Sequence, residues 1–164
     1  MNYKTCFSTY ALKCNETINI PLRLYTITDI SFTIMCGNLF YIDDNEFDHL
    51  IVGSLVKAYT DCKKMTSFLN GREALELLSK NRLNADELPD VILVDLFMPA
   101  FSGWDFLDGL SKIYLALSKK IRVFILSSSI KREDIEQSKN YSFVQSYITK
   151  PLTQRLLENL DIAN

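Results

Sequence analysis

The chain has 164 residues, 18 basic and 20 acidic side chains, and a net charge of −2. That length suits one domain with a proper core, and the near-balanced charge gives no electrostatic basis for binding nucleic acid or an anionic membrane. No apolar run approaches the roughly 18 residues that span a bilayer, and the first residues lack the basic-then-apolar pattern of a signal peptide.

Residues 1–34 are rich in Thr, with Leu and Ile scattered singly and Pro21 in the middle. Neither helical nor strand periodicity persists there, although the segment from Leu22 to Met35 is a strand candidate. They are read as an N-terminal extension of unassigned role. A disordered tail, or a start-site artefact with Met35 as the natural start, are both open. Residues 35–164 then form a complete domain by length.

Asn38 to Ile42 is a short apolar strand that ends in Asp43-Asp44. Phe47, Leu50, Ile51, Ser54, Leu55 and Ala58 follow at helical spacing, which predicts a helix with that face inward. His49 is read as an exposed residue of this helix. Met65 to Leu69 is a weaker strand candidate, broken by Asn70-Gly71. Arg72 to Lys80 carries strong helix formers, and Asn81 to Pro89 is a polar loop.

Val91 to Val94 is a continuous apolar run that meets Asp95, then Met98-Pro99 and Ser102-Gly103. Such a run, bounded by breakers, reads as a strand buried on both faces. Trp104 to Leu117 has helical spacing, and Trp104 is read as a packing residue. Ile121 to Leu126 is the fourth strand, ended by Ser127-Ser128-Ser129. Lys131 to Lys139 is a charged helix. Val144 to Ile148 is the fifth strand, ended by Thr149-Lys150-Pro151. A last helix, Leu152 to Leu160, turns Leu152, Leu156, Leu157 and Leu160 inward.

Five strands alternating with five helices predict an α/β fold, a parallel sheet with right-handed crossovers and helices on both faces. The flavodoxin-like order 2-1-3-4-5 is the natural choice. It brings Asp43, Asp44 and Asp95 into one crevice at the carboxyl ends of the strands, with Ser127 and Lys150 on the same rim. Clustered carboxylates repel, and a divalent cation removes that cost. An oxygen-only site suits magnesium. A carboxylate can act as nucleophile and form an acyl phosphate, while metal, lysine and a hydroxyl stabilise the transferred group. The bland reading, in which Asp95 and the acid pair cap turns or helices, stands beside this one.

The cysteines are Cys6, Cys14, Cys36 and Cys62. None forms a C-x-x-C pair, and a single histidine does not complete a zinc site with them. Reduced thiols in a cytoplasmic protein are expected. The glycines make neither G-x-G-x-x-G nor a P-loop, so nucleotide binding has no motif behind it.

Taken together, Asp43-Asp44, Asp95 with Met98-Pro99 and Gly103, Ser127, and Lys150-Pro151 resemble the receiver domains of bacterial two-component response regulators, over residues 38–162. The resemblance implies that Asp95 takes a phosphoryl group from a phosphohistidine on a sensor histidine kinase or histidine phosphotransfer protein. It implies Mg2+ held by Asp44, Asp95 and the backbone carbonyl of Phe97, with Asp43 acting largely through water. Ser127 would move to the phosphate and Tyr147 would change rotamer with it, altering the surface of helix 4, strand 5 and helix 5, which is also a dimer surface by resemblance. The Lys150–Pro151 bond is expected to be cis.

Two positions depart from the common pattern. Phe97 stands where many members carry a polar residue, and Ser127 where many carry Thr. No output domain is expected after the fifth helix, so a single-domain regulator acting through a protein contact or onward transfer is expected. Such a protein catalyses only its own phosphorylation and dephosphorylation. Two alternatives are a receiver-like interaction module that no longer switches and an aspartyl-nucleophile phosphatase of the haloacid dehalogenase type. The latter wants a second acid where this chain has Phe97.

Overall fold

A computed structural model describes residues 37–160; the N-terminal extension and its strand candidate lie outside them. The elements are β1 (Asn38–Ile42), α1 (Glu46–Tyr59), β2 (Lys64–Phe68), α2 (Gly71–Lys80), β3 (Val91–Val94), α3 (Gly103–Ile113), β4 (Arg122–Ser127), α4 (Arg132–Ser138), β5 (Val144–Thr149) and α5 (Gln154–Asn159). The five strands form one sheet in the order β2-β1-β3-β4-β5, with every pairing parallel. This is the predicted flavodoxin-like arrangement. No described helix is long and apolar enough to cross a membrane.

Successive strand residues feed opposite faces, as the period of two requires. Phe40, Ile42, Ile92, Val94, Val123 and Ile125 join one core with α2 and α3 residues such as Leu78, Phe106 and Leu110. Leu39, Tyr41, Val91, Leu93, Phe124 and Leu126 join the other, with Val52 and Val56 of α1 and Leu157 of α5. β3 is buried at all four positions, which explains its uninterrupted apolar run.

Four local expectations are corrected. β2 is Lys64–Phe68, one residue earlier than Met65–Leu69, and Leu69 is left exposed. The helix expected to run to Leu117 stops at Ile113 and continues as a 3-10 turn over Tyr114–Ala116, with Leu115 outside. α5 begins at Gln154 rather than Leu152, and Leu156 is exposed while Leu152, Leu157 and Leu160 are buried.

The fourth correction concerns the rotation of α1. Its buried residues are Val52 and Val56. Phe47, Leu50 and Ile51, expected inside, are 76%, 69% and 51% exposed. The inner stripe begins instead with two polar residues. His49 is half-buried, not exposed, and its Nε2 lies 2.8 Å from the Asp43 carbonyl, so this nitrogen carries the donated proton. Its ring packs on Tyr41, with centroids 4.6 Å apart. Asp48 accepts a bond from Lys150. These contacts fix the helix's rotation at its first turn.

Candidate functional site

The sheet register carries three key residues to one level. Just beyond the paired strand residues, the Asp43 N–H donates to the Phe68 carbonyl at 3.0 Å, the Asp95 N–H to Ile42 at 2.9 Å, and the Lys150 N–H to Ser127 at 2.8 Å. Their side chains meet over the carboxyl edge of β1, β3 and β5. Asn45, not either aspartate, caps α1 by accepting from the Phe47 N–H. The bland capping role for the acid pair is therefore taken by another residue.

Lys150 sits at the centre. Its Nζ donates to Asp43 Oδ2 at 2.6 Å, to Asp48 Oδ2 at 2.9 Å and to Asp95 Oδ2 at 3.2 Å. An ammonium has three N–H bonds, and all three are engaged by carboxylates. Burial alone would lower the Lys150 pKa, but its bonds to Asp43 and Asp48 and the charges of Asp43 and Asp95 outweigh it, so the amine is held above its ordinary value and stays charged. The Lys150–Pro151 peptide is cis, as expected.

Asp95 is almost fully buried. Burial pushes its carboxyl above the usual carboxylate range, and the Lys150 charge works against that while the Asp43 charge adds to it. The net shift is upward: one ammonium does not offset burial together with the Asp43 charge. The Leu96 N–H donates to Asp95 Oδ1 at 2.7 Å.

Asp43 is fully buried and its oxygens are committed to protein donors. Oδ2 accepts from the Tyr41 hydroxyl at 2.5 Å as well as from Lys150, and Oδ1 accepts from the Asn45 N–H at 2.9 Å. Burial, then the bond to Asp43, raise the Tyr41 phenol far above its ordinary value, so it remains a donor. Asp44, by contrast, is exposed.

Asp43, Asp44 and Asp95 each present a carboxylate oxygen within 4.8 Å of the others. The donors are all oxygen, the cluster is net negative even with Lys150, and Asp44 opens it to solvent. Those properties fit a hard divalent cation that retains several waters, as Mg2+ does.

On the far rim, Ser127 is fully buried. Its Oγ accepts from the Ser129 N–H at 3.2 Å. The Tyr147 hydroxyl donates to the Ser129 carbonyl at 2.9 Å, and Ser129 Oγ donates to Asp134 of α4 at 2.5 Å. Ser129 thus ties Ser127, Tyr147 and α4 together. The Phe97 ring is half-exposed beside the site. Trp104 stacks on Tyr141 at 6.2 Å between ring centres and packs against the core, in keeping with its reading as a packing residue.

Sequence reading brought together Asp43, Asp44, Asp95 and Lys150 but missed Tyr41, Asp48, His49 and Ser129. One signal for Asp48 was present. Asp48, Val52 and Val56 recur every four residues, a stripe that competes with the more hydrophobic one beginning at Phe47.

The family model described as response regulator receiver domain matches residues 39–160. A protein-glutamate methylesterase/protein-glutamine glutaminase of Treponema denticola is 37% identical over 90 residues, 55% of this chain and 22% of that protein. The chain thus spans about a fifth of that relative's length. Among solved structures, a two-component response regulator from Cytophaga hutchinsonii has a TM-score of 0.69 at 25% identity, covering 77% of this chain and 94% of that one. The phosphorylated cyanobacterial phytochrome response regulator RcpA has a TM-score of 0.62 at 28% identity, covering 77% and 89%. With the family model covering residues 39–160 and every residue of the acidic crevice, this chain belongs to the response regulator receiver domains of two-component signalling.

Proposed function

We propose that Asp95 is a phosphoacceptor, taking a phosphoryl group from a phosphohistidine of a sensor kinase or histidine phosphotransfer protein. An Asp95 oxygen forms the new bond to phosphorus as the bond from phosphorus to the donor imidazole nitrogen breaks. The imidazole leaves with its electron pair and takes up a proton. Later attack by water releases inorganic phosphate and restores the carboxylate. The protein is the site of this chemistry rather than a catalyst for another substrate.

The observation that carries the reading is the Lys150 ammonium, 3.2 Å from Asp95 Oδ2 in a buried acidic crevice. It can follow charge as it develops on the transferred group. Bound Mg2+, held by Asp44, Asp95 and the Phe97 carbonyl, would neutralise phosphoryl oxygens in the same way. The three protein donors on Asp43 support a role for it through water and charge rather than direct ligation. The reported phosphorylation of RcpA, a relative of the same fold, is consistent with this assignment.

The switch would begin at Ser127. A phosphoryl oxygen is a strong acceptor for its hydroxyl, and turning toward it loosens the contact with the Ser129 N–H. Tyr147 and α4 are joined to Ser129, so the face of α4, β5 and α5 changes with it. That face is the surface we assign to downstream protein contact or self-association. A cytoplasmic setting with reduced thiols matches phosphoryl exchange with a kinase.

Intact-mass measurement with acetyl phosphate and Mg2+ tests the reading. The expected result is a gain of one phosphoryl group that requires Mg2+ and is abolished in Asp95→Asn. No adduct in the parent, or an equal adduct in Asp95→Asn, would refute it.

A further inference from the structure

Asp48, in the first turn of α1, accepts from Lys150 Nζ at 2.9 Å, closer than Asp95 does at 3.2 Å. Both side chains are shielded, with 28% of Asp48 and 13% of Lys150 exposed. The lysine stem is long and flexible, and an ammonium has no preferred direction of its own.

We propose that Asp48 is a positioning residue for phosphoryl transfer: together with Asp43 it anchors two of the three Lys150 N–H bonds, and the third is thereby aimed at Asp95. The inference rests on Asp95 being the phosphoacceptor. When a phosphoryl group occupies Asp95, the bonds to Asp43 and Asp48 hold the ammonium in place. Only the third bond has to swing from the carboxylate to a phosphoryl oxygen. Lysine then meets the developing charge without a search through its rotamers.

A different role for Asp48 predicts the opposite sign. If it acted only as one more negative charge near the crevice, its removal would favour an incoming anion. If it aims Lys150, its removal weakens anion binding despite the charge relief. The two are separable by experiment.

The test is calorimetric titration of the full chain with beryllofluoride in the presence of Mg2+, alongside the acetyl phosphate rate. We expect Asp48→Ala to weaken beryllofluoride roughly tenfold, the scale of one charge-assisted hydrogen bond, and to slow phosphorylation similarly. Asp48→Asn keeps the volume and one acceptor oxygen, so its loss is smaller, and it stands in if the alanine variant does not fold. Glu46→Gln, an exposed acid in the same turn, controls for charge and is expected to change neither. In a Lys150→Ala background, Asp48→Ala should cause no further loss, which a general structural defect would not reproduce. Equal or tighter binding by the Asp48 variants, or the same loss without Lys150, overturns the inference alone. A parent chain that binds no beryllofluoride overturns the phosphoacceptor reading and this inference with it.

Discussion

Gly103 lies directly against the backbone of Asp95. A Cβ on Gly103 would come within 2.2 Å of the Asp95 carbonyl oxygen and 2.7 Å of the Leu96 Cα. Both are main-chain atoms, so no flexible side chain can move aside. The Gly103 N–H also donates to the Leu96 carbonyl at 3.0 Å, fastening the start of α3 beneath the acidic crevice. Gly103→Ala is expected to cost about 3 kcal/mol, the upper range for overpacking a tight site. Urea unfolding measures that cost. A variant within 0.5 kcal/mol of the parent, by the same order-of-magnitude scale, would show that the loop after β3 yields easily.

At the opposite end of the sheet, Asp90 gives a dependence on pH. Its carboxylate accepts from the Asn38 N–H at 2.7 Å and from Lys119 Nζ at 2.9 Å. Burial acts to raise its pKa, but those bonds and the charges of Lys119 and Arg122 outweigh it, and the net shift is downward. A lowered folded pKa means that the unfolded chain takes up the proton first as pH falls. The stabilisation is therefore present above the unfolded value of about 3.9 and is lost as pH drops through the folded value. With a third of the Asp90 side chain exposed, the pair contributes at most about 1 kcal/mol. Lys119→Met should lose that amount at pH 7, and the difference from the parent should shrink towards pH 3. A difference that stays constant from pH 7 to pH 3 would mean that Lys119 contributes by packing its stem alone.

The two faces of α1 give a sharper contrast. Val52 and Val56 are each 3% exposed, whereas Leu50 is 69% exposed. Val52→Ala or Val56→Ala is expected to cost about 2 kcal/mol through lost burial and the cavity left behind. Leu50→Gln should change stability by less than about 0.5 kcal/mol. Thermal and urea unfolding of the three variants decide between this rotation and the one suggested by the more hydrophobic stripe. A larger loss at Leu50 than at Val52 would reverse the assignment.

That contrast marks where the sequence stops being legible. Asp43 and Asp95 could be placed because each directly follows a strand whose apolar run is unmistakable, and Lys150 because Pro151 breaks the less apolar β5 just after it; a parallel sheet brings such ends together. The rotation of α1 could not be placed by the same means. Hydrophobicity favours Phe47, Leu50 and Ile51, but the bonds of His49 to Asp43 and of Asp48 to Lys150 turn the helix the other way. Those bonds join residues of different elements and follow no periodicity. Ser129 was hidden for a similar reason: three adjacent serines look alike until Tyr147, Asp134 and Ser127 are seen to converge on one of them.

Phe97 offers the last prediction. It stands two residues after Asp95 and is 54% exposed. An apolar ring at that position cannot hydrogen-bond an attacking water, and it is expected to shield part of a phosphoryl group on Asp95. Its backbone carbonyl, the atom assigned to the metal, is unaffected by the side chain. Phe97→Asn should therefore leave Mg2+ affinity unchanged while shortening the life of the acyl phosphate. Losing a shield and gaining a polar group that can orient water is expected to speed hydrolysis about fivefold, equivalent to roughly 1 kcal/mol of barrier. Following the decay of the phosphorylated chain by intact mass, after removal of acetyl phosphate, gives the rate directly. An unchanged lifetime at unchanged Mg2+ affinity would remove the ring from the account of phosphoryl stability.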